Sequence, residues 1–288
     1  MILVAGGTGM LGRDVVGRLA AAGHEVRVLT RDPAHAHGLG ADVSVGDVRD
    51  PATLARAARG VTTVISAVHG FLGGRGAGPA QVDDVGNANL VRAAVDAGAE
   101  HLVLLSVLDA RPDHPMSLHR AKYAAEQHVR GSGLSWTILR PSSYVETWIG
   151  IVGAKLAAGG PALVFGRADN PVNFVSARDV ATLAVRAATD PSLRGETIDV
   201  AGTDNLTMTQ LAEHLGAERI RHVPRGALRV LSTVLPPVAP AFARQARAAV
   251  VMDTQDMSAD GQPSVQRFPD VDWHPAARVA DEARAAAS

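Results

Sequence analysis

Apolar positions along the first half of the chain alternate between two spacings. Short unbroken runs such as Ile2, Leu3, Val4 and Ala5 suit strands buried on both faces. Leu11, Val15, Val16 and Leu19 recur at the spacing of one helix face. Read this way, strands are expected at 2–5, 25–30, 42–46, 62–67, 101–106 and 135–139, and helices near 10–22, 50–59, 82–97 and 117–131. Repeated β-α units predict an α/β fold with a doubly wound parallel sheet and helices on both faces.

After Pro141 the alternation loosens. A helix is expected near 146–158, a strand at 162–165, a helix at 178–188, a strand at 196–200, and helices at 207–215 and about 225–250. The pattern predicts a first domain over 1–145 and a smaller, mixed, substrate-side region over 146–288, with no evident linker between them. The glycine-rich segment 70–80 reads equally as a mobile flap or as a solvated spacer.

The first candidate chemistry sits between the first strand and the first helix. Gly6, Gly9 and Gly12 read G-x-x-G-x-x-G, and Gly7, Gly9 and Gly12 also read G-x-G-x-x-G. In this strand–turn–helix context glycines let a backbone approach a pyrophosphate at a helix N-terminus, which makes the sheet of the Rossmann type. Gly6, Gly7, Thr8, Gly9, Met10, Leu11 and Gly12 are therefore expected to bind a dinucleotide. Ligands of such sheets lie beyond the C-terminal strand ends. That rule adds Arg31, Asp47, Val48, Ser66, Ala67, Val68, Pro141, Ser142 and Ser143 to the expected cofactor site. Arg31 follows the second strand, where a carboxylate would take a ribose diol and a guanidinium suits a 2′-phosphate, so NADP(H) is favoured over NAD(H). Asp47 is read either as an acceptor for the adenine amino group or as a turn cap.

Composition narrows the classes. The 288 residues are 47% hydrophobic with formal net charge −1, so no excess charge points to nucleic acid or to a membrane. There is no cysteine, which excludes disulfides and a thiolate nucleophile. The chain opens directly on a strand, without a basic region and cleavage site, and a cytoplasmic location is expected. The apolar stretch from Leu228 to Phe242 is too short to span a bilayer and is broken by Pro236, Pro237 and Pro240. His35 and His37 lack the companions of a metal site, and no metal is expected. Lys122 and Lys155 are the only lysines.

The stretches 5–12, 28–33, 46–50, 101–107, 120–141 and 176–185, in this order, resemble the short-chain dehydrogenase/reductase superfamily in its extended and atypical branches. The nearest likeness is to NmrA-like and isoflavone-reductase-like NAD(P)H-binding proteins, and it loosens over the last hundred residues. The resemblance implies a Tyr-x-x-x-Lys pair on a helix and a serine from the preceding strand. Lys122 matches the lysine and Ser106 the serine, but Leu118 stands where the tyrosine belongs. Tyr123 points about 100° away from that face and does not replace it. In the isoflavone-reductase-like branch an apolar residue occupies the tyrosine position and the lysine takes part in acid–base work. Lys122, Ser106, Tyr144 and His119 are accordingly the catalytic candidates; His119, three residues before Lys122, shares its helix face. The expected activity is NADP(H)-dependent hydride transfer with a small organic molecule. A non-catalytic dinucleotide sensor and a sugar-type epimerase or isomerase remain as alternatives. The sequence leaves the oligomeric state open.

Overall fold

A computed structural model describes residues 1–287. The strands are β1 (Ile2–Ala5), β2 (Val26–Thr30), β3 (Asp42–Val45), β4 (Thr63–Ser66), β5 (His101–Leu105), β6 (Ser135–Pro141), β7 (Ser143–Tyr144), β8 (Ala162–Phe165), β9 (Val172–Val175), β10 (Glu196–Val200), β11 (Asp204–Leu206) and β12 (Ile220–Val223). The helices are α1 (Met10–Ala21), α2 (Pro51–Ala57), α3 (Gly86–Asp96), α4 (Ser117–Arg130), α5 (Val145–Val152), α6 (Ala177–Thr189), α7 (Met208–His214), α8 (Arg225–Val234), α9 (Pro240–Met252), α10 (Gln262–Arg267) and α11 (Ala276–Ala287). The chain divides into two compact units, one of 1–140 with 180–199, the other of 141–179 with the chain from 200 onward. Residues 180–199 thus return to the first unit after an excursion of about forty residues.

The first unit is built on a seven-stranded sheet in the order β10-β6-β5-β4-β1-β2-β3. The pairs from β3 across to β6 are parallel. β1 is central, with Val4 opposite Val28 on one side and Ile65 on the other. The predicted α/β class and doubly wound parallel sheet are therefore present. Strand order reverses direction between β1 and β4, the switch point at which such sheets take ligands. β1, β4 and β5 are buried throughout, which is why Ile2–Ala5, Val64–Ile65 and Leu102–Leu105 run apolar without alternation. Leu3, Leu54, Leu90, Leu102 and Ile138 pack one face of the sheet against α2, α3 and α4.

The second unit carries two small sheets, β11-β9-β7 and β12-β8. Its core gathers Val145, Val152, Phe174, Leu211 and Ala280. The helix expected over 225–250 is two helices. α8 ends before Pro236 and Pro237, and α9 begins with Pro240 in its first turn, because proline lacks the donor and the space to continue a helix. The helix expected over 146–158 stops at Gly153, and a single 3₁₀ turn follows at Leu156–Ala158. Strands β7, β9, β11 and β12 were not anticipated: β7 and β11 are only two and three residues long, and Asn173 in β9 and Arg221 and His222 in β12 interrupt an apolar run.

One buried carboxylate fixes α4 to the first sheet. Glu126 Oε1 accepts from Ser106 Oγ at 2.6 Å and from Arg140 Nε at 2.8 Å. Its Oε2 accepts from Arg140 Nη2 at 2.6 Å and Arg130 Nη1 at 3.1 Å. Glu126 is fully buried, and removing one side of such a network leaves uncompensated charge. Glu126→Ala is expected to lower unfolding free energy by about 3 kcal/mol in a urea titration. A loss within about 0.5 kcal/mol, the scale of an ordinary surface substitution, would show that the network does not hold α4.

Candidate functional site

The loop after β1 is closed on three glycines and open on the fourth. Gly6 has φ +84°, and a Cβ there would lie 2.6 Å from Ala67 O, so the loop can pass against the end of β4 only as glycine. A Cβ on Gly12 would collide with Gly6 O, which lets the first turn of α1 pack directly on the loop. Gly9 differs: its nearest neighbour, Gly6 O, would be 3.4 Å away. Gly9 is also the N-cap of α1, no side chain caps that helix, and its first turn contains no acidic residue. An anionic group is thus favoured at this helix start by partial positive charge. Met10 beside it is 48% exposed, Leu11 is buried, and the Thr8 carbonyl accepts from Arg13 Nε at 3.2 Å. The arrangement fits a dinucleotide pyrophosphate.

The strand ends beyond β1 carry charge. Arg31 follows β2 directly and is exposed. Asp32, the residue that could have competed for a ribose diol, instead accepts the Ala34 N–H at 2.9 Å and caps a 3₁₀ turn. Asp47 receives Arg49 Nε at 3.0 Å and Nη2 at 2.5 Å, and this contact holds its carboxyl below the usual range, with the Arg31 charge adding to the effect. Both readings of Asp47 meet the same fact: its side chain is engaged with Arg49 and with the Arg49 N–H at 2.9 Å. Val48 is buried and lies where a Cβ on Gly86 would touch it.

Beyond the end of β4 stands a residue, Asp83, that the sequence pattern does not single out. Lys122 Nζ donates to Val68 O at 2.8 Å and stands 3.1 Å from Asp83 Oδ1. Asp83 Oδ2 accepts the Gly70 N–H at 2.8 Å. Lys122 is 4% exposed and Asp83 not at all. The pair therefore grips the backbone on both sides of His69. Asp83 sits in a π-helical turn, Ala80–Val85, that runs into α3; such turns are frequent at functional sites. Ser66 Oγ donates to Asn87 Oδ1 at 2.5 Å, and Asn87 Nδ2 donates to Asp83 O at 2.6 Å, so the end of β4 is tied to the same turn. Asp83 and Asn87 continue the buried stripe of Leu90, Val91 and Ala94 at helical spacing. Polar residues on an apolar stripe were the signal available in the sequence.

The segment 70–80 is folded on itself. Glycine is required at Gly73, where a Cβ would meet Ala77 O, and Gly76 O accepts from Arg49 Nη1 at 2.8 Å.

Other expected residues lie in different company. Ser106 is committed to Glu126. His119 stacks on His114 with ring centroids 3.8 Å apart. Burial, aided by the neighbouring His114, lowers its pKa to about 4, so at neutral pH it is an uncharged imidazole rather than an imidazolium acid. Pro141, Ser142, Ser143 and Tyr144 belong to the second unit. There Ser142 N–H donates to Val200 O at 3.0 Å, and β7 pairs in parallel with β9, placing Tyr144 opposite Val175. Burial and the Glu146 charge push the Tyr144 hydroxyl up. His35 and His37 are exposed, and among the described residues no cluster could hold a metal ion.

Residues 6–191 match a family model described as NAD(P)H-binding. A (4-alkanoyl-5-oxo-2,5-dihydrofuran-3-yl)methyl phosphate reductase of Streptomyces griseus is 35% identical over 281 residues, covering 92% of this chain and 94% of its own. An NAD(P)H azoreductase of Xenophilus azovorans is 33% identical over 227 residues, 77% of this chain and 75% of its own. Among solved structures, an NADPH-dependent quinone oxidoreductase of Escherichia coli in complex with NADPH has a TM-score of 0.79 at 23% identity, covering 98% of this chain and 99% of that one. Matches of this extent bear out the resemblance read from the glycine loop and the Lys122 helix: the chain belongs to the NAD(P)H-binding family of atypical short-chain reductases.

Proposed function

We propose that this protein is an NADPH-dependent reductase of electron-poor acceptors, of the quinone, azo or unsaturated lactone class. The observation that carries the reading is Lys122 held as one half of a buried ion pair, with Leu118 in place of the family tyrosine. NADPH, when bound, supplies a hydride. The protein must then hold the cofactor and manage the charge left on the acceptor. The open face at Gly9 receives the pyrophosphate and Arg31 the 2′-phosphate. Lys122 Nζ gives one N–H to Val68 O and lies in ionic contact with Asp83, which leaves an N–H to orient a ribose hydroxyl.

The missing tyrosine supports the choice of acceptor. Reducing a simple ketone produces an alkoxide, a base about as strong as hydroxide, and needs an acid placed at the oxygen. Reducing a quinone leaves a phenolate-type oxygen whose conjugate acid has a pKa near 10, about that of tyrosine, and water can protonate it. Acceptors that delocalise the incoming charge thus need no tyrosine. The activities of the two relatives, an azoreductase and a reductase of an oxo-dihydrofuran phosphate, are consistent with this logic. A cytoplasmic setting belongs to the same reading.

Two outcomes test it. Loss of absorbance at 340 nm should follow addition of a benzoquinone or an azo dye to protein and NADPH. Simple ketones should turn over about 10²–10⁴ more slowly, the usual worth of a placed acid. No turnover with any acceptor, despite tight NADPH binding, would favour the sensor reading. Separately, NADPH should bind more tightly than NADH, and Arg31→Ala should reduce that preference by about tenfold to a hundredfold, the worth of one charge-assisted contact. Equal affinity of the native protein for the two cofactors would defeat the NADP assignment.

A further inference from the structure

Three large apolar side chains stand out for exposure among the described residues, and they fall in one stretch: Val230 at 61%, Val234 at 64% and Val238 at 80%. Phe242, at 49%, follows at the same four-residue interval. Val230 and Val234 share one face of α8, separated by a single turn. The opposite face of α8 is occupied, since Leu228 and Leu231 pack with Ala246 and Ala249 of α9. The exposed valines therefore form an outward apolar edge on a helical hairpin whose inner side is already satisfied.

Charge along this part of the chain is one-sided. Residues 219–252 contain six arginines and no aspartate or glutamate, in a chain whose formal net charge is −1. Arg225 is spent on Asp253 at 2.6 Å, and Arg219 donates to Gly159 O at 2.8 Å. Arg221, Arg229 and Arg247 are exposed. The near-zero total charge, on which the expectation of no membrane contact rested, conceals this segregation.

We propose that the α8–α9 hairpin docks the protein on an anionic phospholipid surface, with Val230, Val234, Val238 and Phe242 entering the interface and the exposed arginines meeting the headgroups. The hairpin lies on the bilayer and does not cross it: among the described residues no helix is long and apolar enough to span, and Pro236, Pro237 and Pro240 break the run. An amphipathic helix with basic flanks is the element that binds this way. Each arginine near an anionic surface is worth roughly fivefold in partitioning. A second copy of the chain is a poorer occupant, because a two-fold contact through the same patch sets arginine against arginine. An aliphatic edge of valine and proline also offers no directional group for a shaped protein partner, whereas it suits fluid acyl chains.

The test is cosedimentation of the full chain with vesicles of equal parts phosphatidylglycerol and phosphatidylcholine, and with phosphatidylcholine alone. Binding is expected to the mixed vesicles, weakening as salt rises from about 0.05 to about 0.5 M, where screening shortens to a few ångströms. Val234→Glu with Val238→Glu, and separately Arg229→Glu with Arg247→Glu, should each lower partitioning by about tenfold or more. All four positions are exposed, and an unchanged urea-unfolding midpoint confirms that the variants are folded. No binding to the anionic vesicles, or equal binding by the variants, would overturn the proposal. So would a dimer in solution that Val234→Glu dissociates while vesicles are ignored, since the edge would then be a contact between copies.

Discussion

A lysine ammonium and an aspartate carboxylate, both withdrawn from solvent, face each other at 3.1 Å beyond the end of β4. Much of the candidate site hangs on this pair. Lys122 holds the Val68 carbonyl and Asp83 holds the Gly70 N–H, so the backbone beyond β4 is pinned on both sides of one residue. The pin reaches the glycine loop, because Gly6 passes so close to Ala67 that only glycine fits. It also reaches α4, which carries Lys122, and the π-helical turn before α3, which carries Asp83. Burying two charges costs several kcal/mol of desolvation for each, and their attraction offsets this only when geometry and further hydrogen bonds are good. Here both groups have a backbone partner as well as each other. Such a pair specifies position more than it adds stability.

The same constraint bears on chemistry. A tyrosine four residues before Lys122 would share its face, but that position is Leu118. Lys122 is left as a fixed positive charge, tied to Asp83 and Val68, rather than as part of a proton-donating couple. His119, one turn away, is stacked on His114 and neutral at physiological pH. The site is therefore better furnished to hold and orient than to deliver a proton, which supports the proposal that its acceptors are ones with stabilised anions.

The cofactor half of this picture was legible in the sequence. Six parallel strands, four helices and the G-x-G-x-x-G loop follow from apolar runs, helical spacing and glycine geometry, all local signals. Residues bound to partners far along the chain were not legible. Asp83 meets Lys122 thirty-nine positions later, and no local pattern pairs them. Its one trace was a polar residue on the buried stripe that continues through Asn87 and Leu90. Ser106 was read as a catalytic candidate from its position after β5, but its direction is set by Glu126, another charge placed on a buried stripe. In the second unit the two-residue strand β7 and the three-residue strand β11 are fixed by pairing with β9, a tertiary choice that their own sequences barely record. The long helix expected over 225–250 failed for a local reason that was visible, namely its prolines.

The central claim is that Lys122 and Asp83 act as one unit in holding the end of β4. A double-mutant cycle of Lys122→Met and Asp83→Asn, read by urea unfolding of the cofactor-free protein, tests it most directly. Each single substitution should cost about 3–5 kcal/mol by stranding or weakening a buried charge. The double variant should be more stable than the sum of the two losses predicts, with a coupling energy of about 1–3 kcal/mol. Additive losses within about 0.5 kcal/mol, the range expected of independent sites, would show that the two residues do not depend on each other and would contradict this account.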